Sequence, residues 1–417
     1  MNRVEAPEFK QAQRLEVVFP ERVEGANGME IFLMKDVKDA SVKIDVEWNA
    51  GTKFQKKKLV AGFTNKLLLS GTSSKSAEQI TEEIDFYGGY VQKELDKDHA
   101  ALTIYCLNEN TSDVFKLVKE AINGAIFPEN ELNKELSISK SKFKINNEKV
   151  STLCRRDFNK NLYGDAPYGA VAELDDFEQL KLDDLKHFYQ THYKTVPVVF
   201  VTGNISDEFL AELKTWGNDF SAPPVSIPKQ IFNQYKGRID IEKADAIQSA
   251  IRVGRLMFDK KHPDYFNFQL LNTVLGGYFG SRLMANIRED KGYTYGIGSG
   301  MAVLQDVGYF YIGTEVGKEV KENTLIEIYK ELDALAAIEI SEGELQKVKN
   351  YMLGEFLRQA DGPNSQMENF KNIYFNNLDN AYYQLFIDAI HQATPADLMK
   401  VAQKYFKREE MLEVIAG

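Results

Sequence analysis

The sequence predicts an α+β protein made of two duplicated domains, each a mostly antiparallel or mixed sheet packed with helices on one face. Two observations lead to this fold class. Strand patterns and helix patterns follow one another in the same order in both halves, and similar segments recur at one fixed separation. Runs of strands separated by pairs of helices are typical of α+β domains.

Sequence patterns predict the strands and helices of the first half in order. Polar and apolar residues alternate over 42–48 in SVKIDVEWNAGTKF, which indicates a half-buried strand. Ser76 and Gln79 have the spacing of a capping box and predict the start of a helix. ALTIYCL predicts a second strand, and TSDVFKLVKEAING an amphipathic helix that ends at Gly124. A long helix follows Pro128, and VPVVFVTGNIS closes the unit as a buried strand.

The second half repeats this order. FPENELNKELSISKSKF resembles ISEGELQKVKNYMLGEF, and THYKTVPVVFVTG resembles QKYFKREEMLEVIAG. The first pair aligns Glu131 with Glu344 and the second aligns Tyr193 with Phe406, so both members of each pair are 213 residues apart. Equal offsets at two distant anchors indicate a duplicated domain of about that length.

A proline-rich segment separates the halves. Pro223, Pro224 and Pro228 lie close together in NDFSAPPVSIPKQ, which can continue neither a helix nor a central strand. This segment is interpreted as the interdomain linker. The predicted boundaries are 1–217 for the N-terminal domain, 218–235 for the linker and 236–417 for the C-terminal domain.

Composition restricts the partners. A formal charge of −11 disfavours binding to nucleic acid or anionic membranes and mildly favours basic partners. MNRVEAPEFKQAQRLEVV lacks the apolar core of a signal peptide, and no run of about 18 apolar residues occurs, so a cytoplasmic protein is expected. The two cysteines, Cys106 and Cys154, exclude a disulfide framework or a cysteine-rich zinc site and are predicted to be buried thiols.

Several ordered motifs carry a family resemblance. VEWNAGTKFQKKKLVAGFTNKLLLSGTSSKSAEQITEEIDFYGGYV resembles the first part of the insulinase-type (pitrilysin-type) zinc peptidases, the family that includes the mitochondrial processing peptidase. QSAIRVGRL, DYFNFQLLNTVLGGYFGSRLMANIREDKGYTYGIGSG and ELQKVKNYMLGEF resemble the second domain of that family. The resemblance spans nearly the whole chain.

The resemblance implies a degenerate zinc site. Active members carry H-x-x-E-H on the helix that here reads VAGFTNKLLLSGT, with two histidine ligands and a glutamate general base. Gly62, Asn65 and Lys66 occupy these positions, and Lys142 occupies that of the third ligand, a glutamate. Glycine has no ligand atom, an amide cannot take a proton from water, and an ammonium repels a dication. We therefore expect no metal or other cofactor in this chain, and zinc only in a partner subunit.

The histidines do not supply a replacement site. His187 and His192 are five residues apart, which places them about 140° apart around a helix and prevents joint chelation. The other three histidines are scattered along the sequence.

Two residues of the second half match the family pattern. In NIREDKGYTY, Arg288 and Tyr295 correspond to the family's paired arginine and tyrosine, with the same six residues between them. The resemblance implies that they reach toward the scissile bond, where both can donate hydrogen bonds to a developing oxyanion. Alternatively, Arg288 is a surface ion-pair partner and Tyr295 a strand residue. Tyr293 takes the tyrosine's role if the alignment shifts.

Two further motifs concern substrate binding. Gly276, Gly277 and Gly280 in LGGYFGSR resemble the glycine-rich loop that the family's non-catalytic subunits use near substrate. Alternatively, these glycines only let a helix end and a turn form. The segment 92–94, Gln-Lys-Glu, stands where active members have Asn-Ala on the strand that pairs with substrate, which argues against such pairing by the first half.

The combined pattern resembles a half-site. It implies a non-catalytic subunit of a heterodimeric zinc metallopeptidase, inactive alone, which supplies substrate and transition-state contacts while a homologous partner supplies zinc. Without that partner, a homodimer is expected. The substrates would be unfolded peptides, captured partly by strand addition. The alternative is a proteolytically inactive scaffold or peptide-binding protein of the same fold, like the core subunits of the respiratory bc1 complex. A peptidase of unfamiliar mechanism is disfavoured, because no Ser-His-Asp or Cys-His arrangement is evident.

Overall fold

The structure is a computed structural model that describes residues 18–35, 37–226 and 230–417. The first 17 residues, from which no signal peptide was predicted, lie outside the described residues. The linker residue Pro228 lies outside them as well. The strands are β1 (Glu21–Glu24), β2 (Glu30–Met34), β3 (Ser41–Trp48), β4 (Tyr90–Leu95), β5 (Ala100–Leu107), β6 (Val198–Thr202), β7 (Gly237–Ile241), β8 (Gln248–Met257), β9 (Ile297–Val303), β10 (Gly308–Gly317) and β11 (Leu412–Ala416).

Helices make up most of the remaining regular structure. The α-helices are α1 (Val60–Leu67), α2 (Ala77–Phe86), α3 (Thr111–Asn123), α4 (Glu129–Asn147), α5 (Val150–Tyr163), α6 (Asp176–Gln179), α7 (Leu182–Phe188), α8 (Asp207–Trp216), α9 (Tyr265–Asn272), α10 (Lys321–Ala337), α11 (Glu342–Gln359), α12 (Pro363–Phe375), α13 (Tyr382–Gln392) and α14 (Pro395–Tyr405). Three π-helical segments cover Tyr189–Tyr193, Thr273–Gly277 and Met284–Asp290.

The strands form two mixed sheets, one in each half. The first has six strands in the order β1-β2-β6-β3-β5-β4, and the second has five in the order β7-β11-β8-β10-β9. Each sheet contains one parallel pair, β2 with β6 and β11 with β7, among antiparallel pairs. One large apolar core lies against each sheet. The predicted α+β fold of two duplicated units is thereby confirmed.

The duplication extends to a helix exchange between the halves. α5 and α12 begin at Val150 and Pro363, the same 213-residue offset that separates the starts of α4 and α11. α5 belongs to the first half but packs on β8 and β11 of the second sheet. α12 belongs to the second half but packs on the first sheet, where Met367 contacts Phe32 and Phe200. Each sheet therefore has its own helices on one face and one helix of the other half on the opposite face.

Local predictions agree with the structure. Ser76 and Gln79 form the capping box of α2, and Gly124 is the C-cap of α3. Cys106 and Cys154 are buried and free, as predicted. The described part of the linker contains no strand or α-helix. Among the described residues, no helix combines the length and apolar character needed to cross a membrane.

Candidate functional site

The helix that carries the degenerate zinc positions is held by its apolar face. α1 buries Phe63 and Leu67 in the core of the first half, while Gly62, Asn65 and Lys66 turn toward β4 and α4. A side chain would fit at Gly62, because the nearest atom to an added Cβ is Leu95 Cδ2 at 3.8 Å. The helix does not need glycine at this position for packing.

Asn65 joins α1 to the edge of the first sheet. Its side chain is buried, and its Nδ2 donates a hydrogen bond of 3.0 Å to the backbone oxygen of Glu94. Glu94 lies on β4, which pairs only with β5 among the described strands. The side-chain amide of Asn65 is therefore hydrogen-bonded to the backbone oxygen of Glu94 on the edge strand, where strand addition would occur.

Lys66 is paired with α4. Its Nζ lies 2.8 Å from Glu135 Oε1 and 3.0 Å from Ser139 Oγ. Partial burial raises the pKa of Glu135, but the hydrogen bonds from Lys66 and Ser139 outweigh this effect, so the pKa is lowered overall. Lys142 is exposed and contributes to the same lowering through its charge. Glu135 was not anticipated from the sequence, although it lies two turns before Lys142 on the same helix.

A second lysine approaches this cluster from β4. Lys93 Nζ donates a hydrogen bond of 2.6 Å to the backbone oxygen of Lys66. The pKa of Lys93 is lowered overall, chiefly by burial. The charge of Lys66 lowers it further, and the charge of Glu135 partly offsets both effects. Two lysines and one carboxylate thus lie together beside the degenerate zinc positions of α1.

These residues do not fit a zinc ion. Lys66 and Lys93 bring two ammonium groups to this cluster, and the carboxylate of Glu135 is already bound to Lys66. In the described chain, no group of three or more His, Cys, Asp or Glu side chains is placed to hold a metal ion. No step of a reaction is therefore assigned to a metal bound by this chain.

Arg288 lies on the π-helical segment Met284–Asp290 of the second half. Its guanidinium carbon is 4.8 Å from the ring centroid of Phe279, which is itself exposed. No ion pair or hydrogen bond involves its side chain among the described residues. The two roles weighed for Arg288, a substrate contact and a surface ion-pair partner, therefore stay predictions.

Tyr295 and Tyr293 have opposite environments. Tyr295 precedes β9 in an irregular segment and is 92% exposed, with no hydrogen bond to the rest of the described chain. Tyr293 is half-buried and packs against the core of the second half. The hydroxyl of neither tyrosine forms a hydrogen bond within the described residues, and Tyr295 is the more exposed of the two.

The three candidate loop glycines differ in their surroundings. A Cβ at Gly276 would lie 2.6 Å from the backbone nitrogen of Ser299 on β9, so only glycine allows this close approach. A Cβ at Gly277 would be 3.3 Å from the backbone oxygen of Asn272, and one at Gly280 would meet the ring of Tyr278 at 2.9 Å. Gly276 has a packing role, and substrate contact by the loop stays a prediction.

The two sets of candidate residues are not joined within one chain. No hydrogen bond, ion pair or ring contact links Gly62, Asn65 or Lys66 to Arg288 or Tyr295 in the described residues. The first set is used in contacts within the first half. Arg288 and Tyr295 have no polar partners in the part of the chain that the structure describes.

Family models match both halves of the chain. Residues 31–172 match the model described as insulinase (peptidase family M16), and residues 179–352 match the model described as peptidase M16 inactive domain. The chain belongs to the insulinase family, peptidase family M16. The family resemblance drawn from the sequence motifs is confirmed.

Insulinase-family relatives from bacteria are similar over most of their length. The uncharacterized zinc protease YmxG of Bacillus subtilis is 26% identical over 348 residues, which covers 82% of this chain and 84% of the relative. An uncharacterized zinc protease of Rickettsia bellii is 22% identical over 415 residues, covering 93% and 95%.

Solved structures share the fold. A peptidase M16 inactive domain from Pseudomonas fluorescens has a TM-score of 0.86 at 22% identity, covering 95% of this chain and 98% of that chain. A protease from Helicobacter pylori has a TM-score of 0.85 at 20% identity, covering 96% and 100%. A chain of complex III2 from Candida albicans has a TM-score of 0.76 at 11% identity, covering 95% of both chains.

Proposed function

We propose that this insulinase-family chain is the non-catalytic subunit of a two-chain zinc peptidase. In this assembly a homologous partner binds zinc, and the present chain supplies Arg288 and Tyr295 to the substrate. The observation that carries the proposal is the contrast between the two sets of residues. Asn65 and Lys66 are bound within the chain, whereas Arg288 and Tyr295 have no polar partner among the described residues.

The chemistry of the unpartnered pair suits peptide hydrolysis. When water attacks a peptide carbonyl, negative charge develops on its oxygen, and preorganised donors stabilise that charge. A guanidinium and a phenol are both donors. Stacking on Phe279 restricts the direction of the Arg288 guanidinium without using its N–H groups. The proposed substrates are unfolded peptides that can enter between two such chains.

The experiment uses the chain reconstituted with a homologue that carries H-x-x-E-H. Arg288→Ala and Tyr295→Phe should each lower kcat on a peptide substrate by about 10²- to 10³-fold, the usual loss for one such donor. KM should change less, because the contact strengthens mainly in the transition state. Tyr293→Phe and Arg358→Ala are matched controls, since Tyr293 packs against the core and Arg358 is an exposed partner of Glu355.

A scaffold role is the second candidate. The likeness to a chain of complex III2 shows that the fold also occurs in an assembly of that name. A scaffold predicts unchanged kcat in Arg288→Ala and Tyr295→Phe variants that still assemble, as judged by gel filtration. Wild-type turnover from both variants would contradict the peptidase-subunit proposal.

A further inference from the structure

A cavity of about 500 Å³ lies beside Tyr295, on the face of the second sheet that α5 covers. Its walls come from the first turns of α5, from β8 and β10, and from the segment that carries Tyr295. The described lining residues are Ser151, Cys154, Arg155, Gln248, Ala250, Ile251, Arg252, Thr294, Tyr295, Gly296, Gly313, Thr314 and Glu315. The cavity therefore adjoins the tyrosine of the proposed function.

Arg252 on β8 is held in a fixed position in this cavity. Its guanidinium carbon lies 4.4 Å from the ring centroid of Tyr311 and 5.3 Å from that of Phe158. Within the described chain it forms no ion pair or hydrogen bond, and its Nε is buried without a partner. Arginine is rarely buried without an anionic partner, because the charge loses hydration. The buried Nε–H cannot reach a ligand, so the two terminal NH2 groups, which have no partner among the described residues, are the donors available to one.

A second arginine and a helix end add to the positive charge. Arg155 is exposed on α5 and has no ion pair among the described residues. α5 begins at Val150 without a side-chain cap, and Ser151 in its first turn lines the cavity, so the positive end of the helix dipole lies beside it. Glu315 is the one acidic residue among the described lining residues and lies within salt-bridge distance of neither arginine. The described lining residues thus carry two positive charges and one negative charge, in a chain with a net charge of −11.

Two glycines keep the space in front of the arginines open. A Cβ added at Gly313 or at Gly296 would have no atom within 4 Å. Gly313 is the register partner of Arg252 on the neighbouring strand β10. Neither glycine has the positive φ that would exclude other residues. Larger side chains at these positions would therefore fill the cavity without straining the backbone.

We propose that this cavity is a carboxylate-binding subsite for a peptide, with Arg252 and Arg155 as the residues that bind the anion. A carboxylate accepts two N–H groups of a guanidinium at once, which gives both affinity and orientation. The location beside Tyr295 makes the subsite part of peptide recognition, and this assignment rests on the proposed function. The carboxylate comes either from an acidic side chain or from the C-terminus of the peptide.

Covalent capture by the cavity thiol is disfavoured. Burial raises the pKa of Cys154 to about 12, against a lowering by the charge of Arg252. The thiol donates a hydrogen bond of 3.2 Å to the backbone oxygen of Val414. A buried, protonated thiol is a poor nucleophile, so the subsite binds its ligand without forming a bond.

The test measures equilibrium binding to the isolated full chain. Three N-terminally dye-labelled decapeptides of alanine and serine serve as probes for fluorescence anisotropy. One carries a central glutamate and an amidated C-terminus, one a central glutamine and an amidated C-terminus, and one a central glutamine and a free C-terminal carboxylate. A carboxylate probe should bind about tenfold tighter than the neutral probe, the lower range for a charge-assisted hydrogen bond. Which of the two binds tighter identifies the source of the anion.

Variants locate the effect. Arg252→Met and Gly313→Leu should reduce this preference to about onefold, and Arg155→Met should weaken it. Arg358→Met makes the same charge change in an exposed residue on α11, and Gly343→Leu adds the same side chain at another open position. Both controls should keep the preference. Thermal melts identify variants that fail to fold. If Arg252→Met fails to fold, Gly313→Leu and Arg155→Met provide the test.

The outcomes separate the subsite from the proposed function. Equal affinities of the wild-type chain for all three probes, including absence of binding, would overturn the subsite. A preference that survives in folded Arg252→Met and Gly313→Leu variants would overturn it as well. Neither result depends on zinc or turnover. Losses of kcat in the Arg288 and Tyr295 variants of the assembled pair test the proposed function separately.

Discussion

Replacing Lys371 should destabilise the protein in a pH-dependent way. Lys371 lies on α12, and its Nζ is 2.5 Å from Glu47 Oε1 and 3.4 Å from Asp45 Oδ2 on β3 of the other half. The side chains of Glu47 and Asp45 are only 7% and 2% exposed. Asp45 has two further partners, Lys43 Nζ at 3.0 Å and the hydroxyl of Thr103 at 2.6 Å, which would remain if Lys371 were removed. Glu47 has no second cation within salt-bridge distance among the described residues.

The size of the effect follows from burial. Removing one partner of a buried ion pair costs about 3–5 kcal/mol, because the other charge stays buried. Glu47 limits this cost by taking up a proton. Burial raises its pKa to about 7 from the ordinary value of 4.5, although Lys371 lowers it and Asp45 and Glu368 raise it further. At about 1.4 kcal/mol per pH unit, the pH-dependent cost of removing Lys371 is therefore limited to about 1.4 kcal/mol at about pH 8, one unit above the folded-state pKa of Glu47.

The direction of the pH dependence follows from linkage. The folded-state pKa of Glu47 lies above the unfolded value, so its contribution to stability is complete below about pH 4.5 and is lost as the pH rises through about 7. Removing Lys371 moves the folded-state pKa higher still. Lys371→Met should therefore lose up to about 1.4 kcal/mol more stability at about pH 8 than at about pH 5.

Urea unfolding at both pH values measures the free energy of unfolding. Lys140→Met is the matched control, because Lys140 pairs with Glu178, whose side chain is 71% exposed, and such pairs contribute about 0–1 kcal/mol. Adding Glu47→Gln to Lys371→Met should remove most of the pH dependence. An equal loss of stability at both pH values, or a loss like that of the control, would refute the reasoning.

Three further predictions concern metal, assembly and the glycine loop. The purified chain should hold no stoichiometric zinc and show no peptidase activity alone; about one zinc per chain in metal analysis after dialysis would contradict the account of Asn65 and Lys66. Light scattering should detect association with a zinc-bearing homologue, or self-association without one, through an interface above about 1,000 Å². A strictly monomeric chain in the homologue's presence would argue against a half-site. Gly276→Ala should cost about 1–3 kcal/mol in thermal unfolding through its clash with Ser299, whereas Gly343→Ala in open space should cost nothing.

Local features of the fold could be predicted from the sequence because local physics specifies them. The alternation over 42–48 places every second side chain on one face, and β3 covers Ser41–Trp48. Ser76 and Gln79 satisfy each other's backbone groups wherever the helix packs. The repeated segments fixed the two-unit architecture because two distant anchors share one offset.

Contacts between distant segments were not predictable in the same way. Nothing local in α5 or α12 states which sheet each helix will cover, although their shared offset marks them as equivalent. The pairing of Lys66 with Glu135 spans 69 residues and depends on how α1 meets α4. Arg252 gave no sequence signal, because its importance comes from the absence of a carboxylate around it in the folded chain.

Folding explains one set of candidate residues and not the other. Asn65 and Lys66 make hydrogen bonds or ion pairs within the chain, so packing alone accounts for the side chains that replace the zinc site. A tyrosine ring that is 92% exposed and an arginine without a carboxylate contribute little to folding. Tyr295 and Arg288 therefore need a reason outside the chain. In the proposed assembly, a substrate held between this chain and a zinc-bearing partner would bring a developing negative charge to these two donors, which have no polar partner among the described residues.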